Sequence, residues 1–469
     1  MHCTGGIYVP IKSLSYLATF LLTHERLICP VGEAVHPRYT LNDQRVGLDT
    51  HIQEEATMTE RTVGRTVRGI RAPMIHQGDD IVKIAVQSVL QAAEQERFNL
   101  NDKDIIAITE SVVARSQGNY VCVDDIAEEV TRKLGDRVGV VHPILSRNRF
   151  ARILKGIARN RKEVLLMLSY PSDEVGNPIM DPVEMEKLGI NLYKDTVTEE
   201  EYVHHFGHFL HPFTGVDYLQ FYKEIILQEG AKPTIVFSND VAAIRGMVPA
   251  ILVASIHNNE QVKRTIISAG GANGDPIAVL DLSELCNEPR QKKGYNPAFG
   301  LYGSNMADEA EMLKLFPRPL NDAGDRYVVL IQEGIRAATG KQVEALIYGD
   351  GCFKDPVAGI WELADKVVAP DYTDGLVGTP NELKMKFLLD SKHKAHRGQE
   401  AERAIREEIL QKECDLKGKM SSEGTTPRRL TDLIGSLCDL VSGSGDQGTP
   451  IVLIQGYFDN YASLAVDCS

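Results

Sequence analysis

At 469 residues, with 43% hydrophobic and 25% charged residues, the chain has the composition of a soluble globular protein and exceeds the usual single-core limit, so two domains are expected. The 51 Lys and Arg against 65 Asp and Glu leave a formal charge of −14, which argues against a nucleic-acid surface as the main business. The eight cysteines include no Cys-x-x-Cys pair, so neither a zinc ribbon nor a disulfide scaffold is indicated, and a reducing cytoplasm fits best.

Residues 1–57 look unlike the rest. The stretch 7–22 is fairly apolar, but Pro10 and Lys12 interrupt it and it is too short and broken for a spanning helix. A poorly ordered extension is expected, with Met58 as the natural beginning, and no other apolar run approaches membrane length. The run 81–94 has apolar residues at Ile81, Ile84, Val89 and Leu90, the spacing of a helix with one buried face, and Asp79 and Asp80 stand where a helix start favours negative charge. Residues 105–108 form a short apolar strand that ends in Thr109, Glu110, Ser111 and Arg115. Polar groups massed where a buried strand emerges mark either a ligand position or an ordinary solvated strand end. A helix over 123–134, a strand over 138–141, a basic helix over 151–161 and an apolar strand over 164–169 follow, then a loop over 170–182. A helix is predicted over 218–228, with strands over 234–238, 251–256 and 277–280. The second half restarts with a helix over 326–339 closed by Gly340, a strand over 343–348, helices over 399–411 and 430–441, and a final strand over 451–455. The alternation implies mixed α and β structure in two lobes, divided here as an extension (1–57), a first lobe with long insertions (58–310) and a second lobe (311–469).

Several segments carry candidate chemistry. In Thr214-Gly215-Val216-Asp217, the Asp217 carboxylate is either a ligand for a hard divalent cation or the cap of the helix that starts at Tyr218. Asp350, between Gly349 and Gly351 after a strand, is either a magnesium or manganese ligand or part of a tight turn, and Lys354 is a plausible phosphate partner. The loop Ser442, Gly443, Ser444, Gly445, Asp446, Gln447, Gly448 exposes backbone N–H groups that can cradle an anion, although a bare flexible connection has the same composition. The spacing of four and three puts His204, His208 and His211 near one helical face, the right ligand types for zinc, but no His-Glu-x-x-His frame occurs and aromatic and proline residues interleave. Lys392, Lys394 and Arg397 either meet an anionic substrate or form a solvated charged face.

Taken in order, these segments resemble the coenzyme F420-0:L-glutamate ligase (γ-glutamyl ligase) family from about residue 67 to about residue 457. Ala72-Pro73-Met74-Ile75 with Gly78-Asp79-Asp80 is similar to the family's opening loop and helix; 104–118 resembles its strand and the ending that follows. Gly215-Val216-Asp217 with Gln220 resembles its metal segment, and 315–350 and 431–456 resemble its remaining stretches. The resemblance implies an α+β fold of two mixed α/β lobes, an intertwined homodimer, and a GTP-dependent amide ligase with Mg2+ or Mn2+. Its substrates would be L-glutamate and a small-molecule carboxylate acceptor, of deazaflavin, folate or other type, with no nucleic acid and no membrane involved.

By the same carry-over Asp217 and Asp350 would hold the metal. Ala72, Pro73, Met74, Ile75, Glu110, Ser111, Arg115, Gln220, Ser442, Gly443, Ser444, Gly445 and Gly448 would contact the nucleotide, with Arg115 and Asp350 nearest the chemistry. The chain departs from the family at Phe213-Thr214, at Gly351, where threonine or serine is usual, and at Arg115, where lysine is usual. These departures keep open a nucleotide-binding homologue without catalysis, and the histidines keep open a metal-dependent hydrolase. Long insertions, roughly 141–212 and 234–300, suggest a long-form branch; in them Arg147, Arg149 and Asp173 form either an acceptor pocket or a structural ion pair.

Overall fold

A computed structural model describes residues 63–147, 149–270, 277–290, 293–308, 311–321, 324–349, 352–354, 361–363, 369–378, 381–422, 429–442 and 445–463. The expected extension, 1–57, lies outside them, as do Asp350, Gly351, Gly443 and Ser444. The chain is α+β, as its pattern implies, and no helix among the described residues is long and apolar enough to cross a membrane.

The first stretch runs β1 (Thr66–Ile70), α1 (Ile81–Glu96), β2 (Ile105–Thr109), α2 (Glu110–Gln117), β3 (Tyr120–Cys122) and α3 (Val123–Leu134). Asp80 starts α1 by accepting from the Lys83 amide at 3.0 Å. The polar cluster after β2 is not an open strand end. It winds directly into α2, which buries Glu110, Val113 and Ala114.

The second stretch contributes β4 (Arg137–Val141), α4 (Phe150–Ala158), β5 (Glu163–Leu168), α5 (Pro182–Leu188), β6 (Thr196–Thr198), α6 (Glu199–Phe206), α7 (Tyr218–Gln228), β7 (Lys232–Ser238), β8 (Ala250–Val253), α8 (Asn259–Ser268) and β9 (Ala278–Asp281). Its six strands lie in the order β6-β7-β5-β4-β8-β9, all parallel except β6 at the edge. Alternate residues face opposite cores: Val138, Val140, Leu166 and Leu252 pack toward α3, α4 and α7, while Val141, Met167, Ile251 and Val253 pack toward α8. Burial on both faces explains why these strands read as continuous apolar runs. Each such side chain contributes about 1.5–3 kcal/mol relative to exposure. The basic helix is shorter than expected, ending at Ala158, and α6 ends at Phe206 with Gly207 at φ 63°.

The chain then returns through β10 (Asn305–Met306), β11 (Met312–Lys314), α9 (Tyr327–Thr339), β12 (Glu344–Tyr348), β13 (Cys352–Lys354), β14 (Trp361–Leu363), β15 (Asp371–Tyr372), α10 (Met385–Asp390), α11 (Gly398–Gln411), α12 (Leu430–Ser442) and β16 (Ile451–Gln455). A second sheet has the order β1-β16-β2-β12-β15, so its strands come from both sides of residue 310. One face of it packs Ile106, Ile108, Ala345 and Leu453 against α1 and α9; the other packs Ala107, Leu346 and Val452 against Ile434 and Cys438 of α12.

Candidate functional site

Strand direction decides which segments meet. β2 and β12 are parallel with Thr109 opposite Tyr348, whereas β16 runs the other way, its first residue Ile451 paired with Ile108 on one side and Ile70 on the other. One edge of the five-stranded sheet therefore gathers four segments: the loop after β1, the start of α2, the exit of β12 at Gly349, and the residues just before β16. Direct bonds tie them together. The Ala72 amide donates to Gly448 O at 3.2 Å, and the Thr109 amide to Pro450 O at 2.9 Å. Arg115 Nε donates to Ile75 O at 2.7 Å. Thr449 Oγ1 donates to Ser442 O at 2.8 Å and so closes the glycine-rich loop at its base. At the β12 exit a Cβ on Gly349 would stand 2.2 Å from Glu110 Cγ, so only glycine lets this segment reach α2.

The electrostatics of the edge centre on Glu110, which is 2% exposed. Lys314 Nζ lies 3.2 Å from Glu110 Oε1 and donates to Ser111 Oγ at 2.6 Å. A buried carboxylate needs such a partner, since an uncompensated charge there costs several kcal/mol. Lys314 escaped the sequence reading, although a lysine inside the apolar run Met312-Leu313-Lys314-Leu315-Phe316 was a usable signal. Arg115, exposed on α2, tethers the loop that contains Ala72, Pro73, Met74 and Ile75; Met74 projects into solvent while Ile75 is buried. Two hollows flank this edge and meet at Arg318 and Tyr327. One of about 290 Å³ lies by Asn296, Arg326, Ile347 and Asp371; a wider cleft of about 810 Å³ lies by Gln77, Asp80 and Ser116. Gln117 knits their shared wall, bonding Arg318 O at 2.7 Å and the Tyr327 hydroxyl at 3.0 Å. Glycine-lined backbone, a helix start and the cations Lys314, Arg115 and Arg318 together suit an anionic, phosphate-bearing ligand.

Asp217 and Gln220 are placed elsewhere, on the flank of the six-stranded sheet. Asp217 Oδ1 accepts from the Gln220 amide at 3.0 Å, the helix-cap arrangement, and Oδ2 lies 2.9 Å from His208 Nδ1. Gln220 Nε2 donates to Glu224 at 2.7 Å. Both line a hollow with Glu199, Glu200 and Lys223, to which none of the four edge segments contributes. The shared helical face of the histidines does not form. His204 is in α6, but His208 and His211 lie past its end, and His211 is buried, accepting from the Thr214 amide at 3.2 Å. Among the described residues no group of three or more His, Cys, Asp and Glu could hold a metal ion. Asp173 accepts from the amides of Leu145, Val175 and Asn177 at 2.8–3.1 Å and so fixes loops around it. Burial nonetheless pushes its carboxyl above the usual carboxylate range. Lys392 pairs with Glu408, and Arg397 bonds the carbonyls of Lys394 and His396, a local surface arrangement.

In comparison with known proteins, the family model described as F420-0:Gamma-glutamyl ligase matches residues 69–456. No curated protein matches the chain.

Proposed function

The chain belongs to the F420-0:γ-glutamyl ligase family, and from that premise we propose that it is a GTP-dependent ligase joining L-glutamate to a small-molecule carboxylate acceptor. The observation that carries this reading is the meeting of four distant segments at one edge of the five-stranded sheet. The acceptor carboxylate attacks the γ-phosphorus of GTP, giving an acyl phosphate and GDP. The glutamate amine then attacks the acyl carbon, phosphate leaves, and an amide remains. The acceptor and the triphosphate repel each other, so cations must neutralise them; Arg115 would do so directly, with Lys314, paired with Glu110, adding positive charge behind it. The start of α2 with Glu110 and Ser111, and the loop from Ser442 to Gly448, would lie along the phosphates, with Ala72–Ile75 closing over them.

A divalent metal, Mg2+ or Mn2+, belongs to this proposal through the family alone. The described residues gather no donor set for it: Glu110 is committed to Lys314, and Asp217 sits on the other sheet. Asp350, one residue past Gly349 in the sequence, is the carboxylate that the family resemblance assigns to the ion. The acceptor, whether of the deazaflavin type or another, and the homodimer are likewise expectations from the family.

Incubation with GTP, manganese, labelled L-glutamate and a panel of carboxylate acceptors tests the reading. Nucleotide-dependent incorporation of label is the expected result. Its absence with every acceptor, in a protein that still binds GTP, would favour a homologue without catalysis, a possibility raised by Gly351.

A further inference from the structure

Gln117 fixes the wall between the two hollows and leaves hydrogen-bond donors on it. Its Oε1 accepts from the Arg318 amide at 2.9 Å while its Nε2 donates to Arg318 O at 2.7 Å, so this side-chain amide can stand only one way round. Nε2 also donates to the Tyr327 hydroxyl at 3.0 Å. The tyrosine oxygen is therefore the acceptor in that bond, and its own proton has no acceptor among the described residues. Burial pushes this phenol above its usual pKa, so the proton stays in place. Arg318 is half-buried, and one of its Nη atoms donates to Gln117 O at 3.2 Å. No carboxylate among the described residues pairs with the rest of its guanidinium. Arg326, by contrast, is bound to Asp371 at 2.5–2.8 Å.

Charge decides which hollow these donors serve. The wider cleft carries Asp79, Asp80 and Glu333, with Arg318 as the only basic side chain among the described residues that line it. A carboxylate entering there meets like charge. The smaller hollow sets Arg318 and Arg326 against Asp325 and Asp371, and its other walls are largely apolar. Such balance suits a zwitterion, with a carboxylate for Arg318 and Tyr327 and an ammonium group for the exposed Asp325.

Size and position agree. The smaller hollow has about 290 Å³, room for about ten water-sized atoms at about 30 Å³ each. That holds an amino acid and excludes a nucleotide or a deazaflavin. Its walls are continuous with the ligase edge. Ile347, on one wall, lies two residues before Gly349. Phe299, on another, meets the Phe316 ring edge-on with centroids 5.6 Å apart, and that ring lies 3.2 Å from the Cβ position of Gly349.

Resting on the ligase reading, we infer that the smaller hollow is the site of L-glutamate, one of whose carboxylates accepts from the Arg318 guanidinium and the Tyr327 hydroxyl. The test is calorimetric titration of the full chain with L-glutamate, with and without a non-hydrolysable GTP analogue, together with steady-state kinetics for each substrate. Tyr327→Phe, which removes only the hydroxyl, should weaken glutamate binding and raise its KM about 3- to 10-fold. Arg318→Lys should do so about 10-fold and Arg318→Gln about 10- to 100-fold. All three should leave the KM for GTP unchanged. Glutamate binding unaltered in all three would overturn the inference, as would no glutamate binding by the parent protein in either titration. A rise in the KM for GTP instead would give Arg318 to the phosphates, and a rise in the acceptor's KM instead would give the hollow to the acceptor; either overturns it. Should the Arg318 variants fail to fold, Tyr327→Phe decides alone. Arg318-dependent glutamate binding without ligation of any acceptor would sink the ligase reading and keep this one; ligation with an unchanged glutamate KM would do the reverse.

Discussion

The five- and six-stranded sheets are both covered on two faces, yet they are assembled in opposite ways. The six-stranded sheet comes from one continuous stretch, β4 to β9, wound by crossovers that need only their own sequence. The five-stranded sheet closes only after the chain has left and returned, because β1 and β16 pair across nearly its whole described length. Candidate residues inherit this difference. Asp217 is held by an amide three residues away, whereas Glu110 meets Lys314 across 204 residues. Two acids, Asp217 and Glu110, thus belong to a locally built flank and a globally built edge.

Substitutions can break that comparison. The largest effect is expected at Asp350: Asp350→Asn should reduce glutamate incorporation by about 100-fold or more, the scale of losing a key electrostatic group. Asp217→Asn should reduce it by less than about threefold, since asparagine caps a helix as well as aspartate does. Parallel loss in both would return Asp217 to the site, for instance from a second copy of the chain. Next comes Lys314→Met, which strands the Glu110 carboxylate and should lower stability by about 3–5 kcal/mol in denaturant unfolding. Adding Glu110→Gln should recover part of that stability but none of the activity. Recovery of both would make Lys314 a purely structural partner.

A smaller effect is expected at Gly349→Ala, whose methyl group must displace Glu110. About 1–3 kcal/mol of destabilisation is expected for such overpacking, and the KM for GTP should rise with it. The smallest concerns the clasp of Arg159, just past α4, with Glu229, just past α7, and Glu311, just before β11. The Arg159 guanidinium holds the Glu311 carboxyl down to about 2. A depressed carboxylate stabilises the fold above its unfolded pKa, near 4.5, and the contribution is lost as pH falls toward 2. Glu311 is half in solvent, so screening should keep the gain below about 1 kcal/mol. The melting temperature of Glu311→Gln should lie slightly below the parent's at pH 7 and converge with it below about pH 2–3. An equal gap at both pH values would assign the effect to packing.

How much was legible follows the same division. The helices Val123–Leu134 and Tyr218–Gln228 and the strand Ile451–Gln455 have the bounds their patterns predict, because periodicity is local. The cap at Asp217 was legible for the same reason, as one of two readings. The helix α2 was not: its first turn is polar, and Glu110 is buried only because Lys314 arrives from β11. Lys314 itself was invisible as a site residue until β11 paired with β3 beside α2. The histidines misled because their spacing is helical, while Gly207, at a positive φ of 63° that favours glycine, ends the helix before His208. That the segments at Ala72, Glu110, Gly349 and Gly448 meet follows from strand direction, which composition does not encode.

Hydrogen–deuterium exchange of the full chain, with and without GTP and Mn2+, tests the placement of the nucleotide most directly. Protection is expected in 72–78, 109–118 and 445–450, with 199–223 unchanged. Protection confined to 199–223, with the sheet edge unaltered, would contradict it.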